Sequence, residues 1–178
     1  MARTRRRSAW AIGAATVLAL AAGSAGALTL AAMSLGEMTS VSDTVVRARC
    51  IDRTATRTSG GGIESVARFE VLEAVKGNPG KEIEVRQLGG SLDGTDAIVP
   101  GAPLSEEGDE VVLFLERRDD GNLRVVGVAL GYLPVVQATA GPPVVRVSPH
   151  LGESFESGGL RRVDDFLGRV RRLAERDR

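Results

Sequence analysis

Apolar and polar residues alternate along most of this chain, and a period of two is typical of β-strands with one buried face. The alternation predicts strands at 44–53, 63–75, 82–88, 97–99, 109–116, 123–128, 131–137 and 144–147. In the third of these, Ile83, Val85 and Gln87 are expected to face inward. Residues 111–115 are all apolar, which predicts a central strand buried on both sides. The polar, glycine-rich residues 54–62 predict the turn of a long hairpin.

Two segments have the spacing of helices instead. Ser34 and Glu37 have the spacing of a capping box, so we expect a short helix with Leu35 and Met38 facing the domain. Near the carboxyl end, apolar residues recur three and four positions apart, at Val163, Phe166, Leu167, Val170, Leu173 and Ala174. Two glycines at 158 and 159 are expected to mark the start, so an amphipathic helix is predicted for residues 158–178.

The first 27 residues have the composition of an export signal. Arginines at 3 and 5–7 precede an uncharged, alanine-rich run at 9–22, and Ala25-Gly26-Ala27 is a small-x-small triplet. We therefore expect a signal peptide at 1–27, cleaved after Ala27. The mature protein is then expected outside the cytoplasm, in the periplasm, the cell envelope or the medium.

The leader leaves two alternatives open. Thr4-Arg5-Arg6 resembles the start of a twin-arginine signal, which would imply export in the folded state. Without cleavage, residues 9–33 are long enough to cross a bilayer. A membrane contact is expected only in that second case.

Removal of the leader changes the charge of the chain. Four of the 23 basic residues and none of the 23 acidic residues lie in 1–27, so the mature chain would carry a net charge of −4. Aromatic residues are also scarce. Nucleic-acid binders usually present a basic face interleaved with aromatics, so a nucleic-acid partner is not expected.

The residues that most catalytic and metal sites require are nearly absent from the sequence. The chain has one histidine, His150, and one cysteine, Cys50, so a standard zinc site or a histidine-based triad cannot be assembled. A Cys50–His150 dyad would need the fold to bring both together, and we expect Cys50 to be a buried strand residue and His150 a surface residue. The acidic loops 91–96 and 119–122 lack the spacing of an EF-hand and are interpreted as turns, with calcium binding as the alternative. We expect no cofactor and no enzymatic activity.

Many short antiparallel strands followed by one helix favour a small closed or nearly closed barrel. The predicted organisation is a signal peptide at 1–27, a barrel domain at 28–157 and the helix at 158–178.

Four segments resemble a group of uncharacterised secreted bacterial proteins. The first is the predicted short helix after Ser34 together with residues 42–46, to which it leads. The other three are residues 69–77, 108–115 and 125–131. In strand pattern this group is similar to the OB-fold barrels of metalloproteinase inhibitors and netrin-like modules, over about residues 34–137. The resemblance implies a mainly β, antiparallel OB-like barrel with a short amino-terminal helix and the carboxyl-terminal helix. Those inhibitors chelate the protease zinc with an amino-terminal cysteine, whereas the mature chain would start at Leu28, so that mode of inhibition is not expected here.

The sequence thus favours an exported, non-enzymatic binding or interaction module, with another exported or cell-surface protein as its partner. Long irregular connections on a rigid barrel are where binding usually occurs, so the contact loops are expected at 54–62 and 89–108. The candidate contact residues are Ser91, Asp93, Asp96, Pro100 and Pro103. The alternatives are a secreted protease inhibitor that acts by loop insertion and an enzyme that uses carboxylates only.

Overall fold

The computed structural model describes residues 33–151 and 159–177. The predicted signal peptide, its cleavage site after Ala27 and all of the proposed anchor at 9–33 except Met33 lie outside the described residues. Within the described ranges, no helix is long and apolar enough to cross a membrane.

Ten strands and two helices make up the described chain. In chain order they are α1 Leu35–Val41, β1 Thr44–Arg57, β2 Ile63–Lys76, β3 Glu82–Leu88, β4 Gly90–Leu92, β5 Thr95–Ala97, β6 Glu110–Arg117, β7 Leu123–Val125, β8 Tyr132–Val136, β9 Val144–Val147, β10 Gly159–Arg162 and α2 Val163–Arg176. The mainly β fold class with a helix near each end is as predicted.

Five of the strands close into a barrel. Their order is β1-β2-β3-β7-β6, and β6 returns to pair with β1. Counted along the barrel strands alone, the order is 1-2-3-5-4, which is the connectivity of an OB-fold. The predicted OB-like barrel is therefore confirmed. One pairing departs from the antiparallel expectation, because β3 and β7 run parallel through Val85↔Leu123 and Arg86↔Arg124.

Strand β6 separates two apolar cores, as its uninterrupted apolar run predicts. Val111, Leu113 and Leu115 belong to the core inside the barrel, with Cys50, Phe69 and Val85 among their neighbours. Val112 and Phe114 belong to a second core outside the barrel, between the sheet and the two helices. There the rings of Phe114 and Phe166 meet edge to face, with centroids 6.4 Å apart.

The capping box of α1 is confirmed. Glu37 N donates to Ser34 Oγ at 3.1 Å, and Ser34 N donates to Glu37 Oε2 at 2.8 Å. Leu35 and Met38 are fully buried, as the pattern indicated.

The start of the terminal helix was predicted too early. Helix α2 begins at Val163, because Gly159–Arg162 form β10 and pair with β9. The main-chain hydrogen bonds that this segment makes to β9 hold it extended, so the glycine at 159 marks a strand and not a helix start.

The turn of the first hairpin was also predicted too long. Strand β1 continues to Arg57, which pairs with Ile63, so only residues 58–62 remain as a turn. Thr58 N donates to Gly62 O at 2.8 Å, and this bond closes the turn. The alternation pattern could not predict this extension, because residues 53–57 do not alternate between apolar and polar side chains. They are held in a strand by their pairing with β2.

Candidate functional site

The hairpin β4–β5 contains three of the five candidate contact residues. Ser91 Oγ donates to Asp96 Oδ1 at 2.5 Å across the hairpin. Asp93 forms the tip in a left-handed conformation, at φ 52°, and its carboxylate lies 3.7 Å from an Arg57 guanidinium nitrogen. The short strand predicted at 97–99 is instead β5, two residues earlier, where it pairs with β4. These polar side chains therefore brace the hairpin, and their role in ligand contact stays a prediction.

The two candidate prolines lie in the segment that follows β5. Ala102 N donates to Val99 O at 3.0 Å, and Gly101 has φ 81°, so residues 99–102 form a tight turn with Pro100 at its second position. Pro100 is exposed and Pro103 is half-buried. The five candidates thus form two separate groups, one on the hairpin and one at this turn.

A cleft that the sequence did not reveal lies beside this turn, at the carboxyl end of β3 and along β7. Its volume is about 160 Å³. Its lining includes Arg86, Gln87 and Leu88 of β3, Arg124 of β7 and Ala102 of the turn. Residues from β6 and the loop after it, from the end of β7 and from the turn after β7 complete it: Glu116, Arg118, Val125, Gly127 and Val128. This cleft is the candidate functional site.

A buried carboxylate organises the cationic side chains of the cleft. Glu64 on β2 is only 5% exposed; its Oε1 lies 2.6 Å from Arg86 Nη1 and its Oε2 lies 3.3 Å from Arg124 Nη2. Arg86 and Arg124 face each other in the parallel pairing of β3 and β7, so this unusual pairing brings both arginines to one carboxylate. The hydrogen bond to Glu64 raises the pKa of Arg86.

Further carboxylates surround these arginines. Arg86 Nη2 lies 3.3 Å from Glu84, and Arg124 Nη2 lies 3.9 Å from Asp120. The third arginine of the cleft, Arg118, lies 2.8 Å from Glu116. Three arginines thus face four carboxylates when Glu64 is included, and the site has no excess of positive charge.

Two neighbouring residues of β3 have buried polar atoms without hydrogen-bond partners, on opposite faces of the strand. Arg86 Nε lies on the outward face with the cleft, whereas the side-chain amide of Gln87, Oε1 and Nε2, lies on the inward face with Ile83 and Val85. Ser65, which pairs with Gln87 across the sheet, donates its hydroxyl to Gly89 O at 2.7 Å instead. In the part of the chain that the structure describes, the remaining buried side-chain atom of this kind is Ser105 Oγ, which is not among the residues of the cleft.

The rim of the cleft combines apolar exposure with backbone strain. Leu88 is 48% exposed and Val128 is 38% exposed. Val128 has φ 62°, a left-handed conformation that a β-branched side chain rarely adopts. Such strained residues tend to occur at ligand clamps and active sites.

The two residues that could have formed a dyad have different environments. Cys50 is 1% exposed inside the barrel, where burial raises the pKa of its thiol. His150 is exposed in a turn beside Leu151, which belongs to the outer core. The prediction of a buried cysteine and a surface histidine is confirmed. Among residues 33–151 and 159–177, no group of three or more histidine, cysteine or acidic side chains is placed to hold a metal ion.

No protein-family model matches the chain, and no curated protein matches it.

No local pattern in the sequence points to the cleft. Its ion network depends on the register between β3 and β7 and on the contact of both with β2, so neighbouring residues could not reveal it. Gln87 is polar at an inward position of β3, but that position faces the barrel interior.

Proposed function

We propose that this protein is an exported, non-enzymatic binding module whose ligand enters the cleft between β3 and β7. The partner is another exported or cell-surface protein, and membrane contact is confined to a chain that keeps its leader. Membership of the secreted family with inhibitor- and netrin-like barrels remains part of this proposal.

The observation that carries the proposal is the strained backbone of Val128 at the rim of the cleft, where φ is 62°. A β-branched residue rarely adopts this conformation, and such strain tends to occur at ligand clamps and active sites. The exposed side chain of Leu88 at the same cleft supports the assignment.

The chemistry of the lining supports binding over catalysis. The cleft is lined by arginine, glutamine, glutamate, glycine and aliphatic residues, and its glutamate, Glu116, is paired with Arg118. A carboxylate-based mechanism of the glycosidase type uses two acidic side chains, and Glu116 is the one acidic residue among those that line the cleft.

The position of the cleft agrees with its fold by analogy. OB-folds commonly bind ligands on the face of the second and third barrel strands and at the loop between the fourth and fifth barrel strands. In this protein those strands are β2 and β3, and that loop connects β6 and β7. Here Arg86 and Arg118 extend from the third strand and from that loop. Shared architecture alone does not establish a function, so this agreement is supporting evidence only.

Site-specific photo-crosslinking tests the proposal. A benzophenone amino acid in place of Leu88 is expected to crosslink one defined partner in cells that export the protein. The matched control carries the same group in place of Val136, an apolar residue of β8 that is also partly exposed. Equal crosslinking from both positions, or crosslinking from Val136 alone, would contradict a site at the cleft.

Export is tested separately. Amino-terminal sequencing of the protein recovered outside the cytoplasm is expected to begin at Leu28. Retention of the intact chain in the cytoplasm would contradict export, and an intact chain in the membrane fraction would identify an uncleaved anchor.

A loop-insertion protease inhibitor is the second candidate, and one observation favours it. Ile98 is 87% exposed directly before the tight turn at 99–102, so an apolar side chain is presented by a constrained segment. Zinc chelation by Cys50 is not proposed, since that thiol is buried in the barrel. Assays against secreted serine proteases and metalloproteases test this candidate, with Ile98→Ser as the variant expected to lose inhibition. The absence of inhibition in both classes would exclude it.

A further inference from the structure

We propose that the open edge of β1 binds an extended segment of a partner protein as an added strand, with a carboxylate of that segment opposite Arg53. This surface is separate from the cleft, because β2 lies between β1 and β3 in the barrel. Three properties of the edge lead to the proposal: its pairing, its accessibility and its charge.

Strand β1 is paired on both sides in its first half and on one side in its second half. Residues 45–49 pair with β2 and also with β6. Cys50 extends the second contact, since its N–H donates to Asp109 O and its carbonyl accepts from Gly108 N, both at 2.8 Å. Beyond this point, residues 52–57 pair with β2 alone among the residues that the structure describes.

The register determines which main-chain groups face the open edge. Thr58 N donates to Gly62 O at 2.8 Å, so the pair that closes the turn is hydrogen-bonded. Bonded and non-bonded pairs alternate along an antiparallel ladder. The main-chain groups of Thr56 and Thr54 therefore point toward β2, and those of the residues between and beside them point away from it.

The residues that face the open edge are accessible to a partner. Arg53 and Arg57 are exposed, and Ala55 between them is half-buried. Together they present three N–H donors and three C=O acceptors at the two-residue spacing that an added strand requires. Strand addition to a free sheet edge is a common mode of peptide recognition, in which main-chain bonds provide affinity and side chains provide specificity.

The charge of the edge determines the chemistry of the partner. Arg53 and Arg57 lie on one face of β1, because alternate residues of a strand share a face. Arg57 lies 3.7 Å from Asp93, whereas Arg53 forms no ion pair with another described residue. A carboxylate directly opposite Arg53 on the added strand would form a favourable cross-strand pair.

A second copy of this chain fits the edge less well. In a two-fold pairing of two such edges, Arg53 and Arg57 of both copies would lie on the same face of the joined sheet. Four guanidinium groups would then repel one another, and charged residues on an edge strand commonly protect against such pairing. An acidic segment of another protein would be attracted by the same arginines.

Hydrogen exchange in the free protein tests the edge itself. The main-chain amides of Arg53, Ala55 and Arg57 are expected to exchange about tenfold or more faster than those of Thr54 and Thr56, which are bonded to β2. Equal protection of the two sets would show that the edge is already paired and would overturn the proposal.

A library of random peptides with acetylated and amidated ends, selected on the purified protein, provides the probes. We expect the recovered peptides to be rich in β-branched residues and to carry an acidic residue. On binding, the amides of Arg53 and Ala55 should become protected from exchange. Recovery of no peptide that protects these amides would overturn the proposal.

Two pairs of variants examine the main-chain bonds and the charge. Ala55→Pro removes an edge N–H, which a strand tolerates where that group faces solvent, and should weaken peptide binding by about tenfold or more. Its control, Ala55→Ser, keeps the N–H and should bind as before. Arg53→Glu should also weaken binding by about tenfold or more, whereas Arg146→Glu, the same change on an exposed residue of β9, should not. Equal losses from the two charge reversals would overturn the assignment.

N-methylation of the recovered peptides repeats the test without altering the protein, in case Ala55→Pro does not fold. Methylation of one alternate set of peptide amides should abolish binding, and methylation of the other set should preserve it. Equal effects of the two sets would overturn strand addition. Sedimentation tests the other occupant: a dimer that Arg53→Glu strengthens or weakens would assign the edge to a second copy. Crosslinking from Leu88 reports on the cleft alone, so either proposal can fail without the other.

Discussion

The barrel has two outer faces that differ in what covers them. On the face of β6, the outward residues Val112 and Phe114 are apolar and lie beneath α1 and α2. On the face of β2, β3 and β7, the outward residues are Glu64, Arg86 and Arg124, and a cleft remains open beside them. The first face, the covered face, is closed by the packing of the two helices. The second, the charged face, stays open and has the exposed Leu88 and the strained Val128 at the rim of its cleft, which is why we propose that a ligand binds there.

Additional contacts hold the helical layer on the first face. Lys76 Nζ donates to the carbonyls of Thr39 and Ser40 at the end of α1, at 2.8 and 3.1 Å. Its ammonium group also lies 3.7 Å from Asp177 after α2. Cations are favourable at the carboxyl end of a helix, so one lysine of β2 stabilises both helices against the barrel.

The largest effect is expected from Phe114→Ala on the covered face. Loss of this buried ring leaves a cavity against Phe166 and should lower the free energy of unfolding by about 3–5 kcal/mol. Denaturant titration measures the change. Leu72→Ala, at a partly exposed position of β2, is the control and should change stability by about 0.5 kcal/mol or less. Similar losses for both variants would show that the helical layer is not a packed core.

Glu64→Gln should have the next largest effect, on the charged face. It leaves Arg86 and Arg124 without their shared carboxylate. Removing one partner of a fully buried ion pair costs roughly 3–5 kcal/mol. Because the two arginines are 28% and 24% exposed, we expect a smaller loss, about 2 kcal/mol. The control is Glu84→Gln, which removes an exposed partner of Arg86 and should cost about 0–1 kcal/mol.

Ser34→Ala tests how firmly α1 closes the covered face. Loss of the cap should cost about 1 kcal/mol at neutral pH. Hydrogen bonds from Ser34 lower the pKa of Glu37, so the contribution of this carboxylate is present above its unfolded pKa and is lost as the pH falls through its folded pKa. The penalty of the substitution should therefore shrink in acid. A penalty that grows on acidification would contradict the capping box.

The smallest effect is expected at Cys50. Its burial and raised pKa predict that a thiol reagent leaves the native protein unmodified, while the denatured chain reacts fully. Mass spectrometry after labelling measures this. Rapid labelling of the native protein would show that the barrel interior opens. Reagents in solution would then reach the interior as they reach the cleft.

The fold was more predictable than the site, for a physical reason. Strand alternation and helix capping are local, so the capping box at Ser34 and the double burial of β6 could be predicted from neighbouring residues. The end of β1 and the strand before α2 could not, because pairing partners order Arg57 and Gly159. The cleft depends on three strands meeting, so its arginines looked like ordinary surface residues.

Main-chain amide resonances give the most direct test of the contrast between the two faces. On addition of the partner captured by crosslinking from Leu88, the signals of Leu88 and Val128 should shift with saturation while those of α2 stay in place. Stationary signals of Leu88 and Val128, together with shifts of α2 main-chain amides, would place the ligand on the covered face and contradict this assignment.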